Sequence, residues 1–511
     1  MAVKIILLIL FFGVMIGVGL YTRKTATNVA GFVLGGRNVG PWLTAFAYGT
    51  SYFSAVVFVG YAGQFGFKYG LSATWIGLGN AIIGSLLAWV VLGRRTRVMT
   101  KHLDSATMPD FFGKRYHSKA IKIVSAIIAF VFLIPYTASV YNGLSRLFGM
   151  AFDIPYSVCV IAMAVLTAVY VILGGYMATA VNDFIQGIIM LIGICAVIIS
   201  VLNGNGGFMQ AYIKLSSLPS DIPVTQGLNG AFTSFFGPDP LNLLGVVILT
   251  SLGTWGLPQM VQKFYAIKDE KAIRTGTIIS TFFAIVVAGG SYFLGGFARL
   301  VDASEVTVNG KIVYDAIIPN MLSKLPDILI GVVVVLVLSA SMSTLSSLVL
   351  TSSSTLTLDL IKGNFIKEMS EKKQVFIMRI FIVVFIVISV VIAMDPPTFI
   401  AQLMGISWGA LAGAFLAPLF YGLYWKGVTR LGVWAGFIWG VGITVANMVG
   451  GWMSPINAGA ISMVGGLVVV PLVSFITPKL DQGEIDFSFR CYDKKKVVEE
   501  KIALPDDVVQ E

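Results

Sequence analysis

Charge is scarce along this 511-residue chain: Asp, Glu, Lys and Arg supply 12% of it, while 57% is hydrophobic. A soluble enzyme of this length needs a charged surface, so the composition points to a polytopic membrane protein. Histidine is scarcer still. The two, His102 and His117, stand in one basic loop, which leaves none inside the membrane for a metal centre or a proton relay. The three cysteines suggest neither a disulfide framework nor a thiolate metal site, since Cys159 and Cys195 fall in apolar runs and Cys491 in a polar tail. No nucleophile and base pair, metal cluster or phosphate loop occurs, so an enzyme is not expected. The first apolar run, Ile5 to Tyr21, has only Lys4 before it and no small-residue cleavage site after it, and reads as a retained helix.

What is present is apolar length. Runs near 5–21, 42–62, 72–93, 119–148, 155–173, 178–201, 241–264, 275–298, 328–359, 373–394, 399–424, 431–450 and 457–477 are each long enough to span, which predicts an all-α protein of about thirteen transmembrane helices. With the N-terminus outside, most of the 35 Lys and Arg residues fall in inner loops or the tail, Arg94, Arg95, Arg97, Lys101, Lys114 and Arg115 in one loop alone. The positive-inside rule then gives N-out and C-in, so the net charge of +10 reads as topology and not as nucleic-acid binding. The domain organisation expected is a transmembrane domain over 1–477 and a cytoplasmic tail over 478–511. The outer loops 202–241 and 299–326 read as surface caps with short helices.

Two spans carry breakers at corresponding places. Span two has Gly49, Thr50 and Ser51 near its middle, and span seven has Gly253, Gly256 and Pro258. Freed backbone groups are tolerable in a membrane only where they line a protected cavity or hold a ligand. Five spans separate the two. Helices 2–6 and 7–11 are therefore expected to form two inverted five-helix repeats with broken first helices, with helix 1 and helices 12–13 peripheral. Simple kinking is the alternative.

Span nine reads L-S-A-S-M-S-T-L-S-S-L. At 100° per residue, Ala340, Ser343, Thr344 and Ser347 share one face with Ser346 at its margin. Hydroxyls crowded in an apolar helix need a shared partner: a bare cation, or another helix packed closely on small residues. Asp183, at the inner edge of span six, either snorkels to the interface or faces the bundle and neutralises a cation. Hard oxygen ligands with one carboxylate suit Na⁺ better than a soft metal.

Six segments resemble, in order, those of the sodium:solute symporter family, which includes sodium/proline, sodium/pantothenate and sodium/sugar transporters. They are F-V-L-G-G-R-N-V-G-P-W at 32–42, T-M-P-D-F-F-G-K-R-Y at 107–116, G-G…N-D-F-I-Q at 174–186, L-P-Q-M-V-Q-K-F at 257–264, A-S-M-S-T-L-S-S at 340–347 and G-A-F-L-A-P-L-F-Y-G-L-Y-W-K at 413–426. The resemblance implies an inverted-repeat bundle with alternating access, located in the plasma membrane and using Na⁺ as the coupling ion. It implies a common sodium site made of the Thr50, Phe53 and Ala340 carbonyls with the Ser343 and Thr344 hydroxyls. A second sodium, present in some members, would take Asp183, Ser343, Ser346 and Ser347. One position departs from the pattern: sodium/proline transporters carry an acid where this chain has Tyr52.

No Lys or Arg stands near the expected midplane of either broken span, so a substrate carboxylate would meet helix-end N–H groups and hydroxyls. The candidate substrate contacts are Tyr52, Tyr136, Tyr141, Thr254, Trp255, Pro258 and Gln259; packing alone is the other reading of each aromatic. Together they suit a small amphipathic solute, an amino acid such as proline or a small carboxylate. The 134–148 segment looks like the proline group, while 256–269 and 181–187 look closer to the pantothenate group. The expected activity is thus sodium-coupled import by alternating access, with a sodium/pantothenate or monocarboxylate symporter as the alternative. A channel would want a continuous polar pore, and a sensor a larger tail.

Overall fold

The structure, a computed structural model, describes residues 2–152, 154–362, 364–366 and 368–493. Helices dominate. Among the described residues ten are long and apolar enough to cross a membrane, or eleven with the bent pair Pro240–Gly256 and Pro258–Ala266. The difference from thirteen arises in two long helices. Val56–His102 runs 47 residues and Tyr156–Gly204 runs 49, whereas about 20 residues span the roughly 30 Å hydrocarbon core. Tyr156–Gly204 is interrupted at Gly175, whose φ of 54° and ψ of −147° are not helical. A side chain is strained there, and a Cβ would also lie 2.9 Å from Phe32.

Both expected breaks are present, one of them displaced. The first helix of the pair, Pro41–Tyr52, runs through Gly49, Thr50 and Ser51 without interruption and ends at Phe53, whose ψ is 108°. The chain resumes in wide π-turns at Val56–Tyr61 and continues as Ala62–Tyr69. Gly49 serves close packing, since a Cβ there would sit 2.5 Å from the Phe283 ring. The second break falls at Leu257, between Gly256 and Pro258, with a 45° bend. Proline at the first turn of the second half-helix lacks the N–H that would be orphaned there.

The entry to the first broken span and the exit from the second are hydrogen-bonded to each other. Val39, entering the first, donates its N–H to Ala266 O at 3.1 Å, and Lys268, leaving the second, donates to Val39 O at 2.9 Å. One span therefore starts where the other ends, as inverted repeats require.

The long serine helix Asp327–Thr355 crosses the interior and is buried without interruption from Leu336 to Thr355. Ile400–Tyr424 is the most enclosed of the spans. Gly405, Gly409, Gly413 and Ala417 recur every four residues along it, a small-residue stripe that lets neighbouring backbones approach. Helices Arg430–Gly450 and Pro455–Ile476 exploit this. A Cβ on Gly440 would meet Ala414 N at 2.2 Å, and one on Gly409 would meet the Gly459 Cα at 2.8 Å. Helix Ala2–Thr22 is the least covered span, pinned at its start by Lys4 to Asp327 at 3.1 Å.

The two loops expected as caps hold a short helix, Phe208–Ser216, and also a hairpin pairing Thr307–Val308 with Lys311–Ile312. Its turn is Asn309-Gly310, with φ of 52° and 73°, the pairing of residues that two-residue hairpins favour. In the tail, Gln482–Phe489 is helical and Tyr492 stacks on Arg95, 4.4 Å from the ring centre. The rest of the expected tail, 494–511, lies outside the described residues.

Gly440→Ala should destabilise the detergent-purified protein by about 1–3 kcal/mol through overpacking, read as a lower melting temperature. Gly442→Ala, which adds a methyl into open space, should leave or raise it. Equal behaviour of the two would contradict this packing.

Candidate functional site

The end of Pro41–Tyr52 at Phe53 leaves the last-turn carbonyls without helical partners. The serine helix supplies them. Ser343 Oγ lies 3.1 Å from Thr50 O and 3.0 Å from Ala340 O. Thr344 Oγ1 lies 3.2 Å from Thr50 O, 3.5 Å from Phe53 O and 3.1 Å from Ala340 O. All five oxygens expected of a common cation site are thus brought together, in residues at most 1% exposed. Oxygens held about 2.3–2.6 Å from a hard cation in an octahedral shell would stand roughly 3.3–3.7 Å from one another. The cage is close to that size and carries only neutral oxygens, a composition that suits a monovalent ion.

Neighbouring contacts hold the serine helix in this register. Tyr170 Oη donates to Met342 O at 2.7 Å, Ser341 Oγ accepts from Ala55 N at 3.3 Å, and Thr351 Oγ1 donates to Gln262 Oε1 at 2.8 Å. The first ties it to the kinked helix, the second to the first broken span and the third to the second broken span.

The other expected oxygen set is arranged differently. Ser346 Oγ donates to Ser343 O at 2.9 Å, within its own helix. Ser347 Oγ stands 2.9 Å from Ser51 Oγ and accepts from Lys263 Nζ at 3.0 Å. Asp183 is fully buried, and its Oδ2 lies 3.9 Å from the same Lys263 Nζ. The expectation of no Lys or Arg near the midplane of either broken span therefore meets an exception in Lys263, whose ammonium reaches the serine helix. Lys263 sits near the end of Pro258–Ala266, and its long aliphatic stem carries the ammonium inward. Asp183 does have a basic partner, from another helix.

The candidate substrate contacts also divide. Thr254 Oγ1 donates to Gly84 O at 2.9 Å and Trp255 Nε1 to Ile83 O at 2.9 Å. These carbonyls belong to a stretch of π-turns, Asn80–Leu87, and both side chains direct their donors into helix packing. Gln259 differs: it is wholly buried, and neither amide atom has a hydrogen-bond partner. Pro258, Tyr136 and Tyr141 are buried too. Tyr52 lies in the last turn of its helix, and its side chain is outside the described set. Besides Lys263, a second residue escaped sequence reasoning. Trp408 is buried, its indole N–H has no partner, and it packs edge-on to Tyr136 at 5.7 Å and over Gly253. A tryptophan in the Gly- and Ala-rich run I-S-W-G-A-L-A-G-A was the available signal.

The chain matches the profile of the Sodium:solute symporter family over residues 32–440. The sodium/proline symporter of Staphylococcus aureus (strain JH9) is 30% identical over 491 residues, covering 93% of this chain and 92% of that protein. Among solved structures, a Na⁺-coupled sialic acid symporter in a substrate-bound outward-open state superposes with a TM-score of 0.73 at 14% identity, over 94% of this chain and 99% of that one. A nucleobase-cation-symport-1 family transporter in a closed conformation superposes with a TM-score of 0.52 at 12% identity, over 89% and 97%. The fold is the one these cation-coupled symporters share.

Replacing Ser343 and Thr344 together by Ala removes two of the five oxygens of the cage. The sodium concentration that half-stabilises the purified protein against heat should rise about a hundredfold or more. Ser346→Ala, whose hydroxyl points away from the cage, should change it little. The reverse order would show that the ion binds elsewhere.

Proposed function

The chain belongs to the sodium:solute symporter family, and from that premise we propose that the Thr50–Phe53–Ala340–Ser343–Thr344 cage carries the coupling ion and that the cargo is a small zwitterionic amino acid, proline in particular. Transport coupled to sodium is the family's activity, in place of enzymatic chemistry. The observation that carries the reading is the convergence of oxygens from two separate elements on one point. Such a shell is complete only while the first broken span and the serine helix stay together. A motion that parts them removes the Thr50 and Phe53 carbonyls from the ion and releases it, so ion occupancy and conformation are linked.

The energetics suffice. One charge moving down about 100 mV yields about 2.3 kcal/mol, and a tenfold sodium gradient adds about 1.4 kcal/mol, enough for roughly 500-fold accumulation of a neutral solute.

The second break supports a zwitterionic cargo. Helix Pro240–Gly256 ends there and Pro258–Ala266 begins, so carbonyls and N–H groups of opposite polarity face the same gap. An ammonium suits the former and a carboxylate the latter, with Gln259 and the Trp408 indole supplying unpartnered polar atoms. The 30% identical sodium/proline symporter supports proline within that class. A second reading, a carboxylate without an amine such as pantothenate or a monocarboxylate, is favoured by the segments 181–187 and 256–269. In the membrane we propose the N-terminus outside and the C-terminus inside, on the distribution of Lys and Arg.

Uptake of labelled proline, other amino acids, pantothenate and small monocarboxylates into proteoliposomes, with sodium or choline outside, separates these readings. Proline or a close relative should accumulate only with inward sodium; selective pantothenate or monocarboxylate uptake would replace it. Gln259→Ala should raise the half-saturating solute concentration about tenfold to a hundredfold with little change for sodium. Unchanged solute affinity would move the pocket away from the second break.

A further inference from the structure

The groups expected to hold a second sodium are engaged by an ammonium. Lys263 Nζ donates to Ser347 Oγ at 3.0 Å, stands 3.9 Å from Asp183 Oδ2 and lies 5.1 Å from the centre of the Tyr176 ring. The Lys263 and Asp183 side chains are 3% and 0% exposed, so neither charge is met by bulk water, and each is the buried counter-charge the other requires. Tyr176 adds the face of a ring, which attracts a cation.

The proton directions extend this contact. Ser51 Oγ donates its only hydrogen to Ala47 O. The Ser347 hydroxyl must therefore be the donor in the Ser51–Ser347 pair, which leaves its lone pairs to the lysine. A chain of three groups, Lys263 to Ser347 to Ser51, joins the second broken span, the serine helix and the first broken span beside Thr50. A sodium ion ligated by Asp183 and Ser347 would share both ligands with a fixed positive charge.

We infer that Lys263 is a tethered cation that takes the place of a second sodium, so that this chain moves one sodium per cycle. The ammonium hydrogen-bonds Ser347 and supplies the counter-charge to Asp183, whose oxygens have no hydrogen-bond partner of their own, without crossing the membrane, and the only transported ion is the one in the five-oxygen cage. The inference rests on the assignment of that cage to sodium.

The test compares the unmodified protein with Lys263→Met, which keeps the stem and removes the charge, and with Lys263→Met combined with Asp183→Asn. Binding of ²²Na⁺ to purified protein gives the number of sites even if a variant fails to transport, and sodium-activated uptake gives the cooperativity. The unmodified protein should bind one sodium per chain and activate with a Hill coefficient of about 1. Lys263→Met should bind two, with a Hill coefficient rising toward about 2 where uptake survives, and the double variant should return to one. Two sodium ions bound or moved per cycle by the unmodified protein would overturn the inference, as would a single site in Lys263→Met. No sodium binding to the unmodified protein would instead remove the cage assignment on which it rests.

Discussion

The structure depends on how a helix ends in the middle of a membrane. A helix that stops at Tyr52 leaves carbonyls that no lipid can satisfy, and Ser343 and Thr344 approach them from a helix nearly three hundred residues later in the chain. The hydroxyls answer the carbonyls when no cation is bound, and a cation can take both sets as ligands. In the function proposed above, the same break that would be a defect elsewhere is the place where an ion and a conformation are exchanged. Each surrounding contact keeps the two elements in register: Tyr170 on the Met342 carbonyl, Ser341 on the Ala55 amide, Gln262 on Thr351.

Charge inside the bundle is handled by pairing across helices. Asp183 and Lys263 come from opposite repeats and meet beside the serine helix, so the net charge brought into the interior is small. The close approach of Ile400–Tyr424 to its neighbours is achieved with glycine and alanine. Rigid glycine-lined packing on one flank and hydroxyl–carbonyl contacts on the other differ in what they permit. The former has no alternative partner. The latter can exchange a hydroxyl for an ion, which is where motion is least costly.

Much of this was legible because it rests on periodicity. The stripe Ala340, Ser343, Thr344 and Ser347 follows from helical spacing, and the second break follows from Gly256 and Pro258. The first break was displaced by a few residues because Phe53 and Ser54 carry no breaker chemistry, and Gly49, which looked like one, is a packing residue under Phe283. Lys263 was overlooked because its Cα lies toward a helix end, and only its side chain reaches Ser347, 84 residues away in sequence. Thr254 and Trp255 could not be separated from Gln259 by composition. What distinguishes them is whether span-three carbonyls are free to accept, a matter of π-turns that no sequence pattern announces. The Asn309-Gly310 hairpin was readable and missed, since a two-residue strand carries no alternation.

Hydrogen–deuterium exchange of the purified protein, in sodium and in choline at equal ionic strength, tests the cage most directly. An ion bridging the Thr50 and Phe53 carbonyls to the serine helix should suppress local opening of both elements. The account predicts slower exchange with sodium in peptides covering 50–58 and 339–347, and no comparable change in Arg430–Gly450. Identical exchange in the two salts across 50–58 and 339–347 would contradict it.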